Sequence, residues 1–476
     1  MKANFSLYDF QQILVDQTRD AYASGFRSPL LVSHTGSGKT VMYSHIADIM
    51  HKASKRALIL EHRAELLTQT SDALTTFGVE HGIISPKFSP SFEDIQVASV
   101  QTLRNRLERT PRPDLIVIDE AHHSIKGNTW GMIIDHWDPK PRVLGVSATP
   151  LRTDGRGLGS ASNGFFDTMI VGPTMDELIA KKRLSPFEFY APKMNNENLD
   201  FSNIEKVGGD FVKSQLESVI DKPTITGSAV DHYRKICNGL PAIVFCVSVK
   251  HAYHVAEQFG AAGYRAKCVE GKTSPLERKA AIRHLGNGQL DILTSCDIIS
   301  EGTDVPVVCC GILLRPTHSM VIHRQQPGRI LRYQPGKIAY ILDCVGNYKR
   351  NAIDGVWTLP NTEIKWDLNP PKRNKKKYEA SHEIDTYQCL ECFMVFKRGP
   401  AQCPHCGAFI DKDGREIKQV EGELELLTEQ QFQKREVRKE QGRAQTLEQL
   451  LVIAKAKGYN AAWARHVFNG RKRRAV

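Results

Sequence analysis

Ser33-His34-Thr35-Gly36-Ser37-Gly38-Lys39-Thr40 decides the reading of this 476-residue chain. It follows a short apolar run, Leu30-Leu31-Val32, and opens a helical pattern of Val41, Met42, Ile46 and Ile49. A strand, a glycine-rich turn and a helix N-terminus together make an anion site. The glycines let backbone N–H groups close around a phosphate, and the helix end adds partial positive charge. The expected cradle is Thr35, Gly36, Ser37 and Gly38, with Lys39 reaching the β- and γ-phosphates and the Thr40 hydroxyl on Mg²⁺. Ser33 stands where the strict motif carries its first glycine.

Outward from this loop, short apolar runs alternate with helical patterns. Ala57-Leu58-Ile59-Leu60 leads into His62-Arg63-Ala64-Glu65-Leu66, and Ile95-Gln96-Val97-Ala98 into Val100-Gln101-Thr102-Leu103. Leu115-Ile116-Val117-Ile118 runs into Asp119-Glu120-Ala121-His122, and Val143-Leu144-Gly145-Val146 into Ser147-Ala148-Thr149-Pro150. Continuous apolar strands spaced by helices predict a parallel sheet covered on both faces, with chemistry at the carboxyl ends of its strands. Asp119 is expected to hold the metal of an ATP site through water, and Glu120 to orient and deprotonate the attacking water. His122 is expected to hydrogen-bond neighbouring loops, and His123 is read as a surface residue without a role. Gln11, in a helix preceding the loop, is expected to read the adenine edge through its amide.

Residues 186–221, with Pro186, Pro192, Asn195-Asn196 and Gly208-Gly209, break the periodicity and read as a linker. The alternation resumes with Ala242-Ile243-Val244-Phe245-Cys246 and a helix whose core face is Ala252, Val255, Ala256 and Phe259. Leu290-Ile292-Leu293, Val307-Val308-Cys309-Cys310 and Ile338 to Leu342 complete a second α/β unit. The expected domains are 1–185, a linker at 186–221, 222–364, a basic linker at 365–384, a zinc ribbon at 385–415 and a basic helical module at 416–476.

The net charge of +11 is unevenly placed: residues 365–476 hold 23 Lys and Arg against 15 Asp and Glu, the rest 41 against 38. A basic end on a near-neutral body points to a polyanion partner, most simply nucleic acid, or to a solubilising tail. No apolar run approaches the ~18 residues of a membrane span. The stretch from Met1 to Asp16 lacks a signal-peptide pattern, so a cytoplasmic protein with no membrane partner is expected. None of the eleven cysteines precedes Cys237, and the last four form two pairs, Cys389-x-x-Cys392 and Cys403-x-x-Cys406. Two such knuckles offer four thiolates in the closed geometry of a structural Zn²⁺. Leu447, Leu450, Leu451 and Ala454 make an amphipathic helix, and residues 420–445 are helical by propensity.

Thr35 to Thr40, Asp119 to His122 and Ser147 to Thr149, in this order, resemble the first motor domain of a superfamily two helicase. The run Ser147 to Leu158, followed by Phe166-Asp167, is similar to a bacterial and phage branch near the repair protein RadD. The resemblance implies two tandem RecA-like domains with ATP and Mg²⁺ between them. It implies that Arg63 and Thr102 touch the nucleic-acid backbone, and that Ser147 and Thr149 couple the ATP site to the strand. In the second unit Ser300-Glu301-Gly302-Thr303-Asp304 resembles the family's fifth motif, with Asp304 by the ribose and Thr303 near the strand. Gln325-x-x-Gly328-Arg329-x-x-Arg332 resembles its sixth, with Arg329 and Arg332 as arginine fingers and Gln325 helping to position the water. Pro327 departs from that motif and is expected to bend its turn. The expected function is an ATP-dependent DNA helicase or translocase in replication, recombination or repair, acting on single-stranded, duplex or branched DNA beside proteins of those pathways. The alternatives are an RNA helicase, the motor subunit of a restriction or defence system, and a non-enzymatic DNA-binding scaffold.

Overall fold

The structure is a computed structural model. It describes residues 6–370 apart from 87, 90, 153–155, 193–203, 208–209, 213–214, 217–219, 221–222, 297–306 and 352–357. Beyond 370 it describes 386–388, 395–397, 424–426, 446–456, 460, 462 and 464–465.

The apolar runs of the first half form β1 (Pro29–Val32), β2 (Ala57–Glu61), β3 (Gly82–Ile84), β4 (Ile95–Ser99), β5 (Leu115–Ile118), β6 (Arg142–Ser147) and β7 (Thr168–Val171). They pair in the order β3-β4-β2-β5-β6-β1-β7, every pair parallel. All the carboxyl ends therefore lie along one edge. β1, β2 and β5 are buried from end to end, because helices cover both faces.

β8 (Phe187–Pro192), β9 (Lys206–Val207) and β10 (Asp210–Phe211) precede β11 (Ala242–Phe245), β12 (Ala266–Val269), β13 (Ile292–Ser295), β14 (Cys310–Leu313) and β15 (Ala339–Asp343). Two outlying strands, β16 (Thr386–Gln388) and β17 (Val395–Lys397), pair antiparallel with each other. The second sheet runs β12-β13-β11-β14-β15-β8-β18, where β18 is Leu424–Leu426. Its pairs are parallel except β18 against β8.

This corrects two expectations. The start of the 186–221 linker is a strand of the second sheet, in register with β15 from Phe187↔Ala339 to Tyr190↔Leu342. Further along, Ile204, Phe211, Leu216 and Ile220 bury themselves with Val247 and Val345, and the Asp210 carboxylate accepts from the Thr317 hydroxyl and the His318 N–H at 2.8 Å each. The second correction is Leu424–Leu426, which lies in a stretch of helical propensity yet pairs as a strand with the free edge of β8. An open edge offers unpaired backbone donors and acceptors, and satisfying them outweighs a few tenths of a kcal/mol of propensity.

One apolar cluster runs from Leu31 and Val146 through Leu184 and Leu331 to Ile243 and Ile341, joining the two lobes. The segment after the second sheet also returns to the first lobe. Trp366 and Leu368 pack beside Leu158 and Phe166, Leu368 O accepts from Gly159 N–H at 2.8 Å, and Asn369 Oδ1 from Ala161 N–H at 3.0 Å. The first residues of the expected basic linker are therefore docked. Near the C-terminus, Leu450, Ala454 and Ala464 form a small buried cluster.

Candidate active site

The phosphate loop leaves β1 and enters the helix Lys39–Lys52. Gly36 and Gly38 hold φ of +92° and +83°, which side chains disfavour. Ser33, in place of the first glycine, bonds its hydroxyl to that of Ser37 at 2.7 Å and braces the loop from below. Gln11 also braces it, donating Nε2 to Ser37 O at 2.8 Å while Oε1 accepts from Tyr8 N–H at 3.0 Å. These bonds use one of the two donors and one of the two acceptor positions of its amide.

Asp119 and Glu120 follow β5, both buried. Glu120 adopts φ 48°, ψ 52°, a left-handed conformation rare outside glycine, and its N–H donates to Asp119 Oδ1 at 2.9 Å. His122 Nδ1 lies 3.3 Å from Glu120 Oε2 and 3.3 Å from Ser147 Oγ. Ser147 Oγ donates to Thr149 O at 2.9 Å, so Glu120, His122, Ser147 and Thr149 form one connected set. His123 is half-buried, not a surface residue: its ring lies 4.2 Å from that of His122 and 4.5 Å from that of His62, centroid to centroid. His62 precedes Arg63, the N-cap of the helix Ala64–Phe77, and Thr102 sits in the turn after β4.

The second lobe reaches this edge through the helix Met320–Ile330. Pro327 is accommodated inside it: the helix continues, and Leu331 N–H donates to Pro327 O at 3.3 Å. Gln325, 2% exposed, brings Nε2 to 3.5 Å from Glu120 Oε2 across the cleft. A Cβ on Gly328 would sit 2.7 Å from Thr35 Cβ, so this glycine permits close lobe-to-lobe contact, while one on Gly36 would meet Leu184 Cδ2 at 2.8 Å and lie an ordinary 3.6 Å from Arg332 Cδ. Arg332 O accepts from Ser185 Oγ at 3.1 Å and Lys337 Nζ at 3.0 Å, which fixes that backbone at the lobe junction. Arg324 points away, donating to Pro360 O at 2.8 Å and to Thr362 O.

The charges converge. Burial lowers the Lys39 pKa; Glu120 and Asp119 oppose this, and Arg329 and Arg332 lower it further. Burial and then Glu120 push Asp119 up to about 6, against the pull of Lys39. Three cations drawn from two lobes around two carboxylates fit a bound polyphosphate, whose charge would offset their repulsion. Asp119 and Thr40 are the residues fitted to hold Mg²⁺, which takes few protein ligands when phosphates supply the rest. The described residues contain no cluster of three or more metal-ligating side chains. Thr303 and Asp304, like Cys389, Cys392, Cys403 and Cys406, lie outside the described residues.

Two parallel-sheet lobes meeting at a phosphate loop define an ATP-driven motor. The family described as type III restriction enzyme, res subunit, matches residues 4–152, and the helicase conserved C-terminal domain matches residues 228–334. A 51.5 kDa protein of a Lactococcus phage (isolate 7-9) is 33% identical over 399 residues, covering 84% of this chain and 82% of that protein. A Saccharomyces cerevisiae protein given the name ATP-dependent helicase IRC3 is 31% identical over 362 residues, 71% of this chain and 51% of its own length. The chain thus spans about half of that yeast relative. Among solved structures, the ATP-dependent type ISP restriction-modification enzyme LlaBIII bound to DNA shares the fold: TM-score 0.51, 15% identity, 71% of this chain and 28% of that one. The chain belongs to the superfamily two helicases, ATP-driven enzymes acting on nucleic acid. No helix among the described residues is long and apolar enough to cross a membrane.

Proposed function

We propose that the chain is a DNA helicase or translocase whose first lobe grips ATP·Mg²⁺ and whose second lobe triggers its hydrolysis. The observation that carries this reading is the approach of Gln325 to Glu120 across the cleft, with Gly328 on Thr35 and Arg332 over Gly36. Bound Mg²⁺ would neutralise phosphate oxygens. Glu120, held in its strained turn, orients the attacking water and takes its proton, and Gln325 fixes that water from the other side. Arg329 and Arg332 place guanidinium charge where negative charge shifts as the γ-phosphate leaves. Hydrolysis then depends on closure, and opening after phosphate release gives the stroke. Arg63 and Thr102 lie along the carboxyl edge, where they touch a strand's backbone, and the family resemblance gives Thr303 a role toward the strand and Asp304 one toward the ribose.

DNA is favoured over RNA by the expected cysteine ribbon and by the RadD-like run Ser147 to Leu158, which also points to replication, recombination or repair. A structural Zn²⁺ on Cys389, Cys392, Cys403 and Cys406 is supported by their spacing and by the antiparallel pair β16–β17, which brackets the first two in the chain. ATP turnover measured with single-stranded, duplex, forked and four-way DNA and with RNA tests the reading. Stimulation by DNA above RNA, lost in Lys39→Ala, is expected; equal or greater stimulation by RNA would favour the RNA helicase instead.

A further inference from the structure

Residues 358–369 run from the second lobe back onto the first, and the mechanism above gives them no part. At the near end Thr358 N–H donates to Tyr348 O at 3.0 Å, and Thr358 O and Oγ1 lie 3.2 and 3.0 Å from His323 Nε2. Arg324, 6% exposed, donates to Pro360 O at 2.8 Å and to Thr362 O. His323 and Arg324 both belong to the helix Met320–Ile330, which carries Gln325 and Arg329. In the middle, Asn361 Nδ2 donates at 3.0 Å to Asp176 Oδ1, on the first-lobe helix Met175–Ala180. At the far end Gly159 N–H donates to Leu368 O at 2.8 Å, and Ala161 N–H to Asn369 Oδ1 at 3.0 Å.

The first lobe is shaped for this seat. A Cβ on Gly157 would lie 2.0 Å from Leu368 O and 2.4 Å from Pro370 Cδ, and one on Gly159 2.4 Å from Asn369 Oδ1. Neither glycine holds the left-handed φ that would itself exclude a side chain. The returning segment excludes it instead. Thr362 and Leu368 stand six residues apart in the chain. Six residues span about 20 Å at full extension. With both ends seated, the two attachment points cannot part further than that.

We propose that residues 358–369 are a strap clamping the helix of Gln325 and Arg329 onto the first lobe, with Arg324 as the positioning residue through which it acts. The inference rests on the reading that this helix triggers hydrolysis. A planar guanidinium donating to two carbonyls fixes both the strap and the rotation of the helix beneath it. Gln325, the next residue, reaches Glu120 at 3.5 Å, so a small rotation at Arg324 withdraws it. A misplacement of about 1 Å is enough to slow a reaction severely.

The test is hydrogen exchange of the full chain without nucleotide, followed on a peptide covering residues 157–164, beside single-turnover ATP hydrolysis and ATP affinity. Gly157→Ala leaves every strap residue in place and forces the strap off its seat. It should speed exchange of that peptide by about tenfold, slow the chemical step by about tenfold and leave the ATP Kd within about twofold. Asn369→Ala, a change to an exposed side chain, should do the same more weakly, and it serves where Gly157→Ala folds poorly. Arg324→Ala should speed exchange of the same first-lobe peptide although it lies on the second lobe. Arg324→Lys, which still donates to a carbonyl, should recover part of both losses. Exchange unchanged in Gly157→Ala and Asn369→Ala, first-lobe exchange unmoved by Arg324→Ala, or a released strap with the chemical step at the parent rate would overturn the proposal. Arg329→Ala separates the underlying reading: hydrolysis at the parent rate there removes the finger from the mechanism, while the exchange result still decides whether the strap is seated.

Discussion

The first lobe meets the cleft with the ends of β1, β2, β4, β5 and β6, whereas the described residues of the second meet it with one helix, Met320–Ile330. On the first lobe the polar side chains are already bonded to one another: Ser33 to Ser37, Gln11 to Ser37, His122 beside Glu120 and Ser147. On the second, Gln325 reaches Glu120 and Arg332 lies beside Gly36 of the opposite lobe. A preorganised half binds; a half that is complete only on contact controls the rate. That division is what substitutions can break.

The largest effect belongs to the binding half. Lys39→Ala and Glu120→Gln each lower ATP turnover by about a thousandfold or more while DNA binding persists, as read by steady-state hydrolysis beside filter binding. A Lys39→Ala protein that retains turnover would erase the distinction between the lobes.

Next comes acid sensitivity, which sharpens it on the second lobe. His323, on the helix that carries Arg329, is buried against Thr358 O at 3.2 Å and Thr358 Oγ1 at 3.0 Å, and burial followed by the Arg324 charge lowers its pKa to about 4. Unfolded, it binds its proton near pH 6.5, so the folded state binds fewer protons between about 6.5 and 4, and stability is lost as pH falls through that window. For this one group the loss is on the order of 3 kcal/mol by pH 4. Glu61, Asp119 and Asp343, whose pKa values are raised, pull the other way, so the comparison to make is between variants. Thermal melts of His323→Gln should fall less between pH 6.5 and 4.5 than those of the parent protein.

The smallest expected effect concerns coupling inside the first lobe. The rings of His62, His123 and His122 lie in a row between Arg63 and Glu120, tilted to one another by 51° and 41°. His123→Ala should reduce stimulation by DNA about threefold and leave unstimulated hydrolysis unchanged in the same assay. Equal loss in both would assign His123 to folding alone.

The strands that sequence makes plain are those buried on both faces, such as Leu115–Ile118, where an unbroken apolar run leaves no other reading. β7 and β8 escape notice because their runs are mixed and their place depends on partners: Thr168–Val171 is an edge strand with one buried residue, and Phe187–Pro192 is recruited by β15. For β14 the apolar stretch is longer than the strand. The paired residues, Cys310–Leu313 instead of Val307–Cys310, are selected by alignment with Ala242–Phe245. The site shows the same division. Lys39, Asp119, Glu120 and the arginines stand in local patterns, whereas Gln11 on Ser37 and Tyr43 between Thr70 and Asp119 join residues 26 to 76 positions apart, which no local pattern records.

Single-turnover hydrolysis by Arg329→Ala and Arg332→Ala, measured beside ATP affinity, tests the central claim most directly. A nucleotide held by one lobe and triggered by the other predicts an ATP Kd within about threefold of the parent protein and a chemical step slowed by about a hundredfold or more. Hydrolysis at the parent rate in both variants would contradict it.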